Sequence, residues 1–484
     1  MGRILENIQP YRVFYFFEEL CNIPHVSYHT ESLGDYCEKF AKEHNLEYFR
    51  DKLGNLIINK PAATGYENAP TVILQGHLDM VGAKRPESAH DFLTDPIKLF
   101  VDGDWIKAED TTLGADDGVA VAYALAILED NTLKHPRLQV VLTVDEEVGL
   151  GGAEGIDESK LSAKYMINLD SDDEGVFLTG SAGGLRSDVS LLVNMTEYEG
   201  TKVTITVNNL IGGHSGAEIG TGRPSANVLM GRVLLRLSEV SDYYIISMAG
   251  GEVDNAICRE CIAEIVTDKE DFESIKQLCN KITEELRGEY RGIDDGITVS
   301  ALICETGCYE VMDDISREKV LCLLRNLPYG VIARNPENVN LVETSLNPGV
   351  LRFNEGVFKL GYSVRSSNTS AKRDLADRIQ YLTEFLGGIY EESGDYAAWT
   401  YEPDSKLRDT IAMVYEEMYG SKPEFTTIHA GLECGIFSEK LPGIDIVSYG
   451  PESKDIHTFM ERLSIESTRR VYEFTVKLLE SIRD

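Results

Sequence analysis

Apolar positions in the first third of the chain fall into short unbroken runs separated by turn residues. Residues 71–74, 138–144 and 165–169 are rich in Val, Ile and Leu with little polar interruption. Strands buried on both faces of a parallel sheet have this texture, because neither face meets water. Between the first two runs, residues 118–130 are dominated by Ala and Leu, which predicts a helix. Strand, helix, strand in this order is an α/β pattern with a central, mostly parallel sheet.

From about Gly184 the texture changes. Residues 201–207 alternate Thr with Val and Ile, the pattern of a half-exposed strand. A helix over 225–240, strands near 243–248 and beyond, and a helix over 273–286 follow. This predicts a smaller sheet with helices over one face. A second strand-helix set through 297–327 and 341–385 suggests two similar halves. A helix over 406–419 and a short apolar strand at 444–447 return to the first texture. The expected organisation is therefore a discontinuous α/β catalytic domain, residues 1–183 and 397–484, interrupted by an inserted α+β lid and dimerisation domain, residues 184–396. A chain of 484 residues exceeds what one hydrophobic core usually serves, which agrees with two domains.

Composition narrows the partners. With 46 basic against 81 acidic residues the net charge is −35, a field that repels phosphate backbones and anionic lipid. Nucleic acid and membrane are thereby excluded as expected partners. No apolar run is long enough to span a bilayer, and the first residues lack the apolar core of a secretory signal. Gly2 is followed by Glu6 where myristoylation requires Ser or Thr. A cytoplasmic protein is expected. The 9 cysteines include Cys258 with Cys261 and Cys304 with Cys308, but no matching His pair completes a zinc finger, so reduced thiols are expected.

The candidate chemistry sits where the predicted strands end. The first runs into His77-Leu78-Asp79, the second into Asp145-Glu146-Glu147, the third into Asp170. Ligands of open α/β sheets lie beyond the carboxyl ends of the strands, where these groups converge. Asp116-Asp117 precedes the Ala-rich helix, and His457 lies in a loop after the last strand. An isolated Asp pair can be a helix cap, and an isolated acidic run a solvated loop. Three apolar strands ending in ligand-type residues make a stronger case. Imidazole with carboxylate suits Zn²⁺ better than Ca²⁺ or Mg²⁺. Residues i and i+2 of a strand share a face, so the Asp79 carboxylate is expected to orient His77. Adjacent Glu146 and Glu147 invite a division between general base and ligand.

His77-Leu78-Asp79-Met80-Val81, Leu113-Gly114-Ala115-Asp116-Asp117-Gly118, Asp145-Glu146-Glu147-Val148-Gly149 and Asn168-Leu169-Asp170 resemble the motifs of the co-catalytic zinc peptidases. That group spans aminoacylases, glutamate-type carboxypeptidases, peptidase T tripeptidases and carnosinase-like dipeptidases. Cys21-Asn22-Ile23-Pro24-His25, Gly212-Gly213-His214-Ser215-Gly216 and His429-Ala430-Gly431-Leu432-Glu433-Cys434 resemble the bacterial aminoacyl-histidine dipeptidases within it. The resemblance implies two Zn²⁺ per subunit, with Mn²⁺ or Co²⁺ as substitutes. His77 and Asp170 would hold one ion, Glu147 and His457 the other, with Asp116 between them. It makes Glu146 the general base and Asp79 the residue that orients His77, and leaves Asp117 structural. It further implies substrate contacts from His214, Asn255 and Arg365, with Glu433 for the free amine, and a homodimer formed through the insert.

The activity so implied is hydrolysis of small unblocked dipeptides, Xaa-His types among them. The rival readings are an N-acyl-amino-acid deacylase, a carboxypeptidase or a tripeptidase of the same architecture. A non-catalytic metal-binding protein would have no need of Glu146.

Overall fold

The computed structural model describes residues 3–336 and 339–483. They form two compact units. The first comprises the described residues of Met1–Ser181, Trp399–Thr427 and Leu432–Asp484; the second is Ala182–Ala398 with Ile428–Gly431.

The first unit is built on an eight-stranded sheet. Its centre is four parallel strands in the order Leu138–Thr143, Val72–His77, Tyr165–Asn168 and Asp445–Ser448. Every residue of the first three is buried, which accounts for their largely apolar sequences. The antiparallel strands Glu47–Arg50 and Leu56–Lys60 extend one side, and Val176–Ser181 and Glu424–Ile428 the other.

The helix Ala115–Glu129 is buried on all sides from Gly118 to Leu128, as its run of Val, Ala, Tyr, Leu and Ile requires. It starts earlier than its composition suggests. Asp116 and Asp117 are included, yet both have non-helical backbone angles, so helical periodicity cannot register them. Gly76 lets the helix close on the sheet, since a Cβ there would lie 2.5 Å from an Asp117 oxygen and 2.6 Å from the Ala120 Cβ. The helix is anchored to Ile465–Ser481 by the buried Tyr123 hydroxyl, which donates to the Thr468 carbonyl at 2.7 Å.

The second unit carries a nine-stranded sheet, larger than the first rather than smaller. Every adjacent pair is antiparallel. From Thr201 to Val207 buried and partly exposed residues alternate, the sign of one covered face. Two halves share one topology. Met195–Asn208, the helix Ala226–Leu237, Tyr243–Gly250, Cys261–Thr267, the helix Phe272–Glu289 and Thr298–Met312 form the first. Gly183–Leu192, the helix Asp314–Asn326, Val342–Asn354, Val357–Ser366, the helix Thr369–Phe385 and Ile389–Tyr396 form the second. In each half the spatial order runs second, third, first, fourth strand, and the two second strands join the halves. The expected division at residue 297 is corrected. Thr298–Met312 closes the first half, and Gly183–Leu192 opens the second before the first half has begun.

Replacing Tyr123 by Phe removes one buried hydrogen bond and leaves the packing intact. Stability should fall by about 1 kcal/mol, seen as a lower urea midpoint with unchanged far-ultraviolet dichroism.

Candidate metal centre

In the first unit His77 pairs with Thr143 and Gln75 with Asn168, so three strand ends stand level. A buried polar network fixes that register. The Asn168 amide donates to Gln75 Oε1 at 2.6 Å. Gln75 Nε2 donates to Thr143 Oγ1 at 3.2 Å and to Glu433 Oε2, to which the Thr143 hydroxyl also donates at 2.8 Å. Glu433 is wholly buried, and burial pushes its carboxyl up to about 7. The bonds from Gln75 and Thr143 both go to Oε2, while Glu433 Oε1 is buried without a hydrogen bond.

Around the strand ends lie three groups of ligand-type atoms, His77 with Glu146 and Glu147, and two that share Asp116. His77, Asp116 and Asp170 form one, Asp116, Glu147 and His457 the other, each with its donor atoms within 4.8 Å of one another. His77 Nε2 lies 3.1 Å from Asp116 Oδ1 and 3.9 Å from Asp170 Oδ1. His457 Nε2 lies 3.1 Å from Asp116 Oδ2 and 3.0 Å from Glu147 Oε1. The last contact is close but badly angled, for Glu147 Oε1 is buried without a hydrogen bond. Glu146 is 4.0 Å from His77 Nε2.

Among the described residues no Lys or Arg pairs with Asp116, Glu146, Glu147 or Asp170. The charge is therefore shared with protons. Burial pulls the His77 imidazole down, but Asp116 and Asp79 outweigh it and hold it well above its ordinary value. The bond to Asp116 and the Glu147 carboxylate beside it raise His457 to about 11. Burial, then neighbouring carboxylates, raise Asp170, and burial chiefly raises Glu146. For Asp116 burial is overcome by its two imidazole partners, which lower it. Oxygen and imidazole donors that converge without Lys or Arg among them fit divalent metal ions.

Asp79 does more than the sequence suggests. His77 Nδ1 bonds the Asp79 backbone carbonyl at 2.9 Å, and the nearer carboxylate oxygen is 3.5 Å away. The carboxylate instead accepts the backbone N–H of Glu146 at 3.0 Å and of Glu147 at 3.3 Å, with the Ser27 hydroxyl at 2.8 Å. It holds the turn that carries base and ligand. Asn55 secures the same turn, accepting from Val144 N at 3.1 Å and donating to Gly152 O at 2.9 Å. Asp117 Oδ2 accepts the His77 backbone N–H at 3.1 Å. Sequence reasoning missed Ser27, Asn55 and Glu461. The last accepts the N–H groups of residues 113–116. Side chains that act on backbone leave no spacing pattern to find.

The second unit holds the remaining candidates. His214 Nδ1 accepts N–H from Gly216 and Ala217, each at 3.2 Å, which leaves the ring hydrogen on Nε2. It pairs across a short ladder with Ala256, beside the exposed Asn255, whose carbonyl accepts from Ser215 N. Arg365 is 9% exposed, donates to the Tyr396 hydroxyl at 3.0 Å, and has an unpartnered Nε. A residue not expected to act, His429, contacts the Ser345 hydroxyl at 2.7 Å. Burial and Arg365 lower both His214 and His429, the latter to about 4.

The sequence profile of the peptidase family M20/M25/M40 matches residues 73–481. The chain is 36% identical over 482 residues, 99% of each protein, to the cytosol non-specific dipeptidase of Escherichia coli K12. The crystal structure of the aminoacylhistidine dipeptidase of Vibrio alginolyticus superposes with a TM-score of 0.91 at 36% identity, over 99% of this chain and 98% of that one. The aminopeptidase PepT of Bacillus cereus shares the fold at 16% identity, with a TM-score of 0.58 over 99% of this chain and 100% of the other.

The protonation pattern predicts how the metal-free protein responds to pH. His457 titrates at about 11 against ~6.5 unfolded, so its contribution is complete below ~6.5 and is lost as pH rises. Glu146 and Asp170, also raised, act in the same sense. Asp116, lowered, is ionised in both states above ~5 and adds no slope there. Chelated protein should lose thermal stability between pH 6.5 and 9, and zinc-loaded protein should lose much less. Thermal scans with and without chelator check this, and a chelated sample that is more stable at pH 9 than at 6.5 rejects it.

Proposed function

Because the chain belongs to peptidase family M20/M25/M40, we propose that it is a di-metal dipeptidase of the cytoplasm, cleaving free dipeptides with aminoacyl-histidine dipeptides among them. The observation that carries the proposal is the pair of ligand groups joined at Asp116. Full-length likeness to two dipeptidases supports this reading over a deacylase, carboxypeptidase or tripeptidase. The assembly proposed is a homodimer formed through the second unit.

His77 and Asp170 would hold one zinc ion, Glu147 and His457 the other, and Asp116 both. Such a pair, when bound, polarises a carbonyl and makes water acidic near neutral pH. Glu146 takes the proton of the attacking water and returns it to the leaving amine. Its raised carboxyl suits the return, since a donor must hold its proton near working pH. Asp79 holds the backbone of Glu146 in place while the side chain exchanges that proton. In the second unit Arg365 offers a planar fork for the substrate carboxylate. Asn255 and the Nε2–H of His214 are proposed as further donors to the substrate.

A panel of free dipeptides, their N-acetyl forms and tripeptides, assayed with zinc, manganese and cobalt, tests the proposal. Free dipeptides should be the best substrates, and turnover confined to acetylated or longer compounds would refute it. Glu146→Gln should retain two zinc ions while kcat falls by about three to five orders of magnitude, the loss of both proton transfers. Metal analysis that finds the zinc gone would instead make Glu146 a ligand. Arg365→Ala should cost about 2–4 kcal/mol in kcat/KM on a free dipeptide. On the matching C-terminal amide the cost should be much smaller, and equal losses would remove Arg365 from carboxylate recognition.

A further inference from the structure

We infer that Glu461 is a positioning residue that sets the second metal site before any metal arrives, by tying the loop of His457 to the turn of Asp116. The inference rests on the two-metal reading above.

Glu461 is 3% exposed, and among the described residues no Lys or Arg pairs with it. Its carboxyl oxygens are met by backbone N–H groups alone. Oε2 accepts from Leu113 N at 2.6 Å and Gly114 N at 3.1 Å. Oε1 accepts from Ala115 N at 2.8 Å and Asp116 N at 3.4 Å. Four successive N–H groups converge because Gly114 takes φ 73° at the amino end of the buried helix. The helix dipole adds to the attraction there. The two segments joined lie about 345 residues apart in sequence.

The other end of the tie is equally fixed. Glu461 N donates to Thr458 O at 3.1 Å, and the Thr458 hydroxyl donates to Asp455 O at 2.7 Å. Arg462 reaches Asp455 at 3.2 Å and begins a strand paired with Trp105–Ala108. His457 therefore sits, at φ 62°, inside a closed turn four residues before Glu461. Asp116 is one residue from the Ala115 N–H at the other end. Two of the three members of the Asp116, Glu147, His457 group lie in the joined segments, but only one of the His77, Asp116, Asp170 group does.

That asymmetry separates positioning from general support. Glu461→Gln keeps the shape but turns an NH₂ toward two N–H donors, so one half of the tie is broken. Calorimetric titration of metal-free protein with zinc should show two tight sites in the wild type. In the variant one site should be nearly unchanged and the other weaker by about 10–100-fold, the range for groups that orient a ligand. At limiting zinc kcat should fall with KM unchanged, and excess zinc should restore it. Two unaltered sites, or two sites weakened alike, would overturn the inference. A wild type that binds fewer than two zinc ions would remove the two-metal reading and this inference together. Should the variant not fold, hydrogen exchange of the wild type decides. The amides of residues 113–116 should stay as protected in chelated protein as in zinc-loaded protein, and rapid exchange on chelation would show that the tie follows the metal.

Discussion

Like charges gathered at one end of a sheet repel unless something positive lies between them, and this fold brings Asp116, Glu146, Glu147 and Asp170 together with no Lys or Arg among them. A chain of net charge −35 has no surplus of cations to spread over its surface, yet its bases are placed elsewhere. His77 and His457 are the basic groups within reach, and the carboxylates around them hold both well above the ordinary imidazole value. The sheet can keep such a cluster because its parallel strands are wholly buried and their few polar side chains bond one another near the carboxyl ends.

Rigidity around the cluster comes from a second set of acids. Asp79 accepts the backbone N–H groups of Glu146 and Glu147, Asp117 that of His77, and Glu461 that of Asp116. Each holds a segment that carries a ligand candidate, and none holds its own. Asp116 and the two imidazoles bond one another, while the backbones that carry them are fixed from behind. Two kinds of buried carboxylate thus coexist a few residues apart, one satisfied by N–H groups and the other left for cations.

This division explains what was legible in the sequence. The three central strands could be read because burial on both faces leaves few polar positions, and His77, Glu146, Glu147 and Asp170 could be read because they stand where those runs stop. The start of the helix at Asp116 was hidden by backbone angles that no periodicity encodes. Asp79 was expected to orient His77 through its carboxylate; the chain has left the strand by then, so the backbone carbonyl lies 2.9 Å from His77 Nδ1 and the carboxylate 3.5 Å. Glu461 offered only a lone acid in a loop. In the second unit the strands were readable, but the size of the sheet and the division of its halves were not. Gly183–Leu192 completes a half whose other elements begin after residue 313, and pairing at that distance leaves no local trace.

The two units also differ in how they meet pH. In the first, imidazoles are surrounded by carboxylates and titrate far from their ordinary range, so proton and metal compete for the same atoms. In the second, burial and Arg365 keep His214 and His429 neutral, and the guanidinium is the charged member of that group at any physiological pH. With His214 Nδ1 already accepting two N–H groups, its Nε2 remains a hydrogen-bond donor without carrying a charge. Recognition as proposed, by the Arg365 guanidinium and neutral donors, would be nearly constant through the neutral range. The pH dependence of the proposed reaction then belongs to Glu146 and to metal occupancy, and substrate capture contributes little to it.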